Sequence, residues 1–198
     1  AHSFWPFRIG REATIFDVPE LSYENIVHAI RTGIGLAGTI ETPPEYGKYH
    51  WDGHRNCNFS CSPEKTKQLN GKCPVCGKQM TIGVEYRVEE ISTKPKGFKP
   101  DSAKKYFKIV PLQELISLAE NSPLESKKSW SVYDHIISEF KNELDVLLKI
   151  SKEKLLAKCS EKLVELILKN REGKIKVIPG YDGEYGQALI DEKQATLI

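Results

Sequence analysis

The sequence predicts an α+β fold on three observations. Four cysteines, Cys57, Cys61, Cys73 and Cys76, fall within 20 residues and can staple a small zinc-ribbon-like module. Between Leu112 and Leu166 apolar residues recur every three or four positions, the period of helices with one buried face. Near the end, two short apolar runs flank Asp182-Gly183, a dipeptide that favours a hairpin turn. The 198 residues are 39% hydrophobic and 28% charged, enough for one or two cored domains. No run approaches the ~18 apolar residues of a membrane span, so no membrane partner is expected and the cytoplasm is the default compartment.

Taken in order, Ser22 caps a helix to Thr32 that carries Ile26, Val27 and Ile30, and Gly33 stops it. Residues 34–40 read as a strand, broken by Pro43-Pro44. Residues 45–58 form a polar loop dense in Tyr46, Tyr49, His50, Trp51, His54 and Arg55. Beyond the cysteines, residues 81–91 alternate and read as a strand. Residues 93–108, with Pro95, Gly97, Pro100 and six lysines, read as an extended basic loop. Pro111 opens a helix with Leu112, Leu115, Ile116 and Ala119. A longer helix from about Ser129 carries Trp130, Tyr133, Ile137, Phe140, Leu144 and Leu147. A third, over residues 152–170, carries Leu155, Cys159, Leu163 and Leu166, with Cys159 as an apolar core group. Strands at 174–178 and 187–190 close a terminal hairpin.

The cysteine spacing is that of a structural metal site. Cys73-Pro74-Val75-Cys76-Gly77-Lys78 aims two sulfurs at one ion from a tight turn, and Lys72 and Lys78 offset thiolate charge. Cys57 and Cys61 complete an all-cysteine set for one structural Zn²⁺. His54, three residues before Cys57, is the alternate to one thiolate. Disulfides suit a secreted chain, and no secretory signal is legible here. A redox C-x-x-C wants a strand–helix setting, whereas Pro74 and Gly77 fit a ribbon turn.

Charge is uneven. Residues 48–108 carry 13 basic and 6 acidic side chains, between flanks that are net acidic. A phosphate-contacting module has this pattern, and so do solvated lysines on a small domain. Arg55, Lys72 and Lys78 around the metal, and Lys94, Lys96, Lys99, Lys104 and Lys105 in the loop, are the candidate phosphate contacts. Arg55 could instead pair with Asp52. Tyr181 and Tyr185, flanking the turn, are either packing groups or a base-stacking platform. The chain opens on His2, Phe4, Trp5 and Phe7 without an initiating Met, which points to a piece of a longer protein.

His2 with the run Phe7-Arg8-Ile9-Gly10-Arg11-Glu12-Ala13 resembles the last motif of a PHP (polymerase and histidinol phosphatase) domain. Residues 38–41, 47–57, 73–78, 81–84, 87–90, 109–112 and 180–186 extend the match. Together they resemble the C-terminal portion of endonuclease Q, an archaeal and bacterial DNA repair family of PHP nucleases. The resemblance implies three segments: the end of a PHP (β/α) domain at 1–47, a zinc module with basic loop at 48–108, and a helical region with hairpin at 109–198. It implies nicking on the 5′ side of deaminated bases (hypoxanthine, uracil) and of abasic sites, with the lesion nucleotide taken out of the stack. It further implies divalent Zn, Mg or Mn in the PHP site, with His2 as one ligand. The partners would be lesion-bearing DNA and the N-terminal PHP domain, and the fragment alone would be inactive. One departure is Tyr86, where the family has His. A stand-alone zinc-ribbon adaptor for nucleic acid and a PHP phosphoesterase acting on a small phosphate remain as alternatives.

Overall fold

The computed structural model describes residues 12–189. In chain order these form β1 (Ala13–Phe16), α1 (Tyr23–Thr32), β2 (Leu36–Glu41), β3 (Asp52–His54), β4 (Phe59–Cys61), α2 (Pro63–Gln68), α3 (Val84–Ile91) and β5 (Lys105–Lys108). There follow α4 (Leu112–Glu120), α5 (Lys127–Phe140), α6 (Glu143–Leu148), α7 (Lys152–Leu156), α8 (Glu161–Arg171), β6 (Lys176–Ile178) and β7 (Gln187–Leu189). Short 3₁₀ turns occupy Pro44–Tyr46 and Arg55–Cys57. The described residues sort into two units, 12–42 with 102–175 and 43–101 with 176–189. These units cut across the three consecutive segments expected from the sequence: β1, α1 and β2 go with the helices, and the terminal hairpin goes with the cysteines.

In the first unit, α1 starts where Ser22 Oγ accepts from Asn25 N (3.2 Å) and ends at Gly33. β2 is the middle strand, antiparallel to β1 and parallel to β5. The end of the expected basic loop is therefore strand, because the open edge of β2 supplies partners for its backbone groups. From β5 the chain passes through buried Ile109 and Val110 into α4, whose buried face is Leu112, Leu115 and Ile116. Ile136, Val146, Leu147, Leu155, Leu163, Val164, Leu166 and Ile167 are buried from α5 to α8. Buried Asn170 on α8 donates to Val110 O and accepts from Val110 N, both at 2.9 Å.

Two expected helices are each two helices. α5 stops at Phe140, Lys141 takes φ 70°, and Asn142 caps α6 by accepting from Asp145 N (2.8 Å). α7 ends at Leu156, Cys159 lies half-buried in the gap, and Ser160 caps α8. The apolar period runs on through both breaks because the pieces on either side bury the same kind of residue in one core.

In the second unit, β3 and β4 pair antiparallel in the register Asp52↔Cys61, Gly53↔Ser60 and His54↔Phe59. Thr81 bridges Gly53 on the other side of β3. The expected strand at 81–91 ends there: residues Val84–Ile91 are helical. The Asp52 carboxylate is fully buried and accepts from Gly83 N (2.5 Å) at the helix start, a favourable place for negative charge. β6 and β7 pair antiparallel, and Asp182 and Gly183 at the tip have φ 43° and 96°, as the two central residues of such a turn require.

Candidate metal centre

Two knuckles face each other. β3 ends at His54, and the turn Arg55–Cys57 carries the chain back toward β4, leaving His54 and Cys57 three positions apart. The second knuckle, Cys73 to Cys76, has the same spacing. Cys73 N donates to Lys78 O and Gly77 N to Cys73 O, both at 2.8 Å. Gly77 sits at φ 72°, so the turn closes without a side chain in the left-handed region.

The side chains of His54, Cys57, Cys73 and Cys76 converge, with all four donor atoms within 4.8 Å of one another. His54 Nδ1 is 3.1 Å from Cys57 Sγ and 3.4 Å from Cys76 Sγ. Donors about 2.0–2.3 Å from one tetrahedral ion lie roughly 3.5–3.8 Å apart, so the set fits a four-coordinate metal. Burial, with the neighbouring Cys76 and Cys73 sulfurs, pushes the Cys57 thiol up to about 11. Burial also raises Cys73, but N–H groups of Cys76 and Val75, with His54 and Cys57, bring it down to about 7. Thiolates this close repel, and a cation held among the sulfurs would offset that repulsion.

Cys61, expected as a ligand, lies outside this set. Two residues into β4 it turns into the small core of Cys61, Cys73 and Met80, with Thr66 Oγ1 3.3 Å from its sulfur. Burial raises its thiol. The alternate, His54, takes the corresponding place in the cluster.

Arg55, Lys72, Lys78, Lys94, Lys96 and Lys99 are all exposed, as are Lys104 and Lys105. Lys96 Nζ is held 2.8 Å from Glu85 Oε1, and Lys104 Nζ donates to Gly33 O (2.8 Å). Asp52 is buried, and the acidic neighbours of Arg55 are instead Glu184, 3.9 Å from its Nε, and Asp182, which accepts from its backbone N. Tyr181 is half-buried and donates to Asn58 Oδ1 (2.9 Å), a packing role. Tyr185 is exposed, with Lys48 Nζ 5.8 Å from its ring centre. His2 lies outside the described residues. The sequence reading missed two carboxylates. Asp182 accepts from Arg55 N (2.7 Å) and from the Thr81 hydroxyl (2.6 Å). Glu85 accepts from Trp51 Nε1 (2.7 Å) and lies 3.3 Å from His50 Nε2. The unusual aromatic and titratable density of residues 45–58 was the available signal for the second.

Residues 111–174 match the family model of the MJ0043 C-terminal domain. The chain is 36% identical to the uncharacterized protein MJ0043 of Methanocaldococcus jannaschii, over 94% of this chain and 24% of that protein. Its fold matches the crystal structure of the lesion-specific endonuclease Q from Pyrococcus furiosus at a TM-score of 0.82 and 29% identity, over 94% of this chain and 46% of that one. The chain is similar to endonuclease Q. A second solved structure, endonuclease Q in complex with a 27-mer duplex substrate bearing an abasic lesion at the active site, matches at a TM-score of 0.78 over 95% of this chain and 47% of that one. The chain thus spans about a quarter of the curated relative and just under half of the endonuclease Q structures.

Proposed function

We propose that this chain is the zinc-bearing, DNA-holding part of an endonuclease that nicks on the 5′ side of deaminated bases (hypoxanthine, uracil) and abasic sites. The observation that carries this reading is its similarity, over 95% of its length, to an endonuclease Q held on a lesion-bearing duplex. The resemblance of residues 1–47 to the end of a PHP domain adds the cleaving chemistry. When bound there, divalent ions would activate a water and neutralise charge on the phosphoryl group, with His2 as one ligand.

The residues of this chain do the holding. Zn²⁺ on His54, Cys57, Cys73 and Cys76 suits a donor set of three sulfurs and one imidazole. Bound there, it would fix the backbone that carries Arg55, Lys72 and Lys78, whose exposed charges would meet phosphates. Lys94, Lys96 and Lys99 add further exposed basic groups, Lys96 in an ion pair with Glu85. Tyr185 offers an exposed ring for stacking.

The test is cleavage by the full-length protein of duplexes carrying inosine, uracil, an abasic site or no lesion. A single nick 5′ to each lesion, and none in intact DNA, is expected. The chain alone binds these duplexes without cutting, and His2→Ala in the full-length protein removes cleavage but not binding. Binding without any cleavage would make the protein an adaptor. Hydrolysis confined to small phosphate esters would make it a phosphoesterase. Either outcome overturns the proposal.

A further inference from the structure

The two knuckles are supported differently. Cys73 to Cys76 is closed by its own backbone, through Gly77 and Lys78. The knuckle of His54 and Cys57 also closes locally, through Asn58 N donating to Arg55 O (2.9 Å) and the pairing of His54 with Phe59, but it is held in addition by contacts from the far end of the sequence.

Asp182 Oδ2 accepts from Arg55 N, 127 residues earlier, at 2.7 Å. Its Oδ1 accepts from the Thr81 hydroxyl at 2.6 Å. Thr81 in turn exchanges both backbone hydrogen bonds with Gly53, at 2.8 and 3.0 Å. One carboxylate therefore grips the chain on both sides of His54, directly at Arg55 and through Thr81 at Gly53. The adjacent Tyr181 packs on the same stretch of chain. Its ring lies so close over Gly53 that a Cβ there would collide with it, and its hydroxyl donates to Asn58, the residue after Cys57. Trp51 N donates to Gly180 O (2.9 Å) and Gly183 N to Lys48 O (2.8 Å), seating the rest of the hairpin tip on the same loop. Burial raises the Asp182 carboxyl, and its two donors with the nearby Arg55 and His54 more than reverse this, holding it below the usual carboxylate range.

We infer that Asp182 is a positioning residue for the metal: through Arg55 N and Thr81 it sets the backbone that presents His54 and Cys57, so that metal occupancy and the seating of the hairpin are one event. The inference rests on the metal reading of the cluster. Partners that orient metal ligands change affinity by about 10–100-fold when removed. Coupling of this kind is reciprocal: if the hairpin strengthens metal binding, the metal must steady the hairpin by the same factor.

The experiment titrates zinc against a competing chelator for the whole chain, wild type and variants. It also follows amide hydrogen exchange at Tyr181 and Glu184 with and without zinc. Wild type is expected to bind one zinc and to slow exchange at both amides on binding. Asp182→Ala should bind zinc about 10–100-fold more weakly and lose that slowing. It should also alter the visible bands of the Co²⁺ form, which report ligand geometry. Asp182→Asn keeps the shape and one acceptor, and falls between. Glu184→Gln, which removes the exposed acid beside Arg55, should change affinity by less than about twofold. If Asp182→Asn and Asp182→Ala both match wild type in zinc affinity and in the exchange response, the inference is overturned and the metal reading stands. If wild type itself binds no zinc, the metal reading falls first.

Discussion

The helical unit buries Leu112, Leu115, Ile116, Ile136, Leu147, Leu155, Leu163 and Ile167 completely, whereas among the described residues the buried hydrophobic side chains of the cysteine unit are Cys61, Cys73 and Met80. The first has the apolar area to hold itself together, at about 1.5–3 kcal/mol for each large side chain. The second is tied by point contacts, Asp182 to Arg55 N and Thr81 and Asp52 to Gly83 N, beside the cluster of four candidate metal donors. A fold held by oil tolerates single polar changes far from its core, and one held by a few polar contacts does not.

Metal removal should separate the two units most sharply. Structural zinc in small domains is worth an apparent ~10–16 kcal/mol near neutral pH, and would be a large part of what stabilises a unit whose apolar cluster is Cys61, Cys73 and Met80 with half-buried Phe59 and Leu69. Chelation, or Cys73→Ser, should open the amides of β3, β4 and the terminal hairpin to hydrogen exchange while those of α4 and α8 stay protected. Uniform loss of protection across both units would join what the contacts divide.

The next effect is the converse. Leu163→Ala should cost the helical unit about 2–5 kcal/mol, because Leu163 is buried among tightly packed helices. Urea unfolding should register that loss, and zinc affinity should not change.

The smallest effect is a pH dependence confined to the helical unit. Glu143 accepts from Leu112 N (2.8 Å) and from the Tyr133 hydroxyl (2.9 Å). Its pKa is raised, burial outweighing both donors. A carboxyl raised in the folded state adds stability that is present below its unfolded pKa and lost as pH rises through the folded one. Wild type should therefore gain on Glu143→Gln as pH falls from neutrality toward about 4.5, in denaturant melts of the two proteins side by side. A constant difference across that range would remove the burial cost from the account.

The same contrast decides what could be read from sequence. The stripe Leu112, Leu115, Ile116 and the stripe Leu163, Leu166 are local and periodic, and each is a buried helix face. The breaks at Lys141 and between α7 and α8 were hidden because apolar spacing continues across them, although Asn142 and Ser160 are good cap residues. The helix α3 was misread because residues 81–91 alternate locally. Val84, Val88 and Ile91 fall at helical steps, and the group that starts the helix is the Asp52 carboxylate, 31 residues away. The candidate metal donors were legible in kind, with His54 named as the alternate to one thiolate. His54-x2-Cys57 repeats the spacing of Cys73-x2-Cys76, and these are the four side chains whose donor atoms converge among the described residues. Nothing local could show that residues 180–183 seat on the loop at 48–55, since only the folded chain brings them together.

X-ray absorption at the zinc edge of the metal-loaded chain tests the central claim most directly. Three sulfurs at about 2.3 Å and one nitrogen at about 2.0–2.1 Å are expected, unchanged in Cys61→Ala and altered in His54→Ala. Four sulfurs in the wild type, with loss of one in Cys61→Ala and no change in His54→Ala, would contradict it.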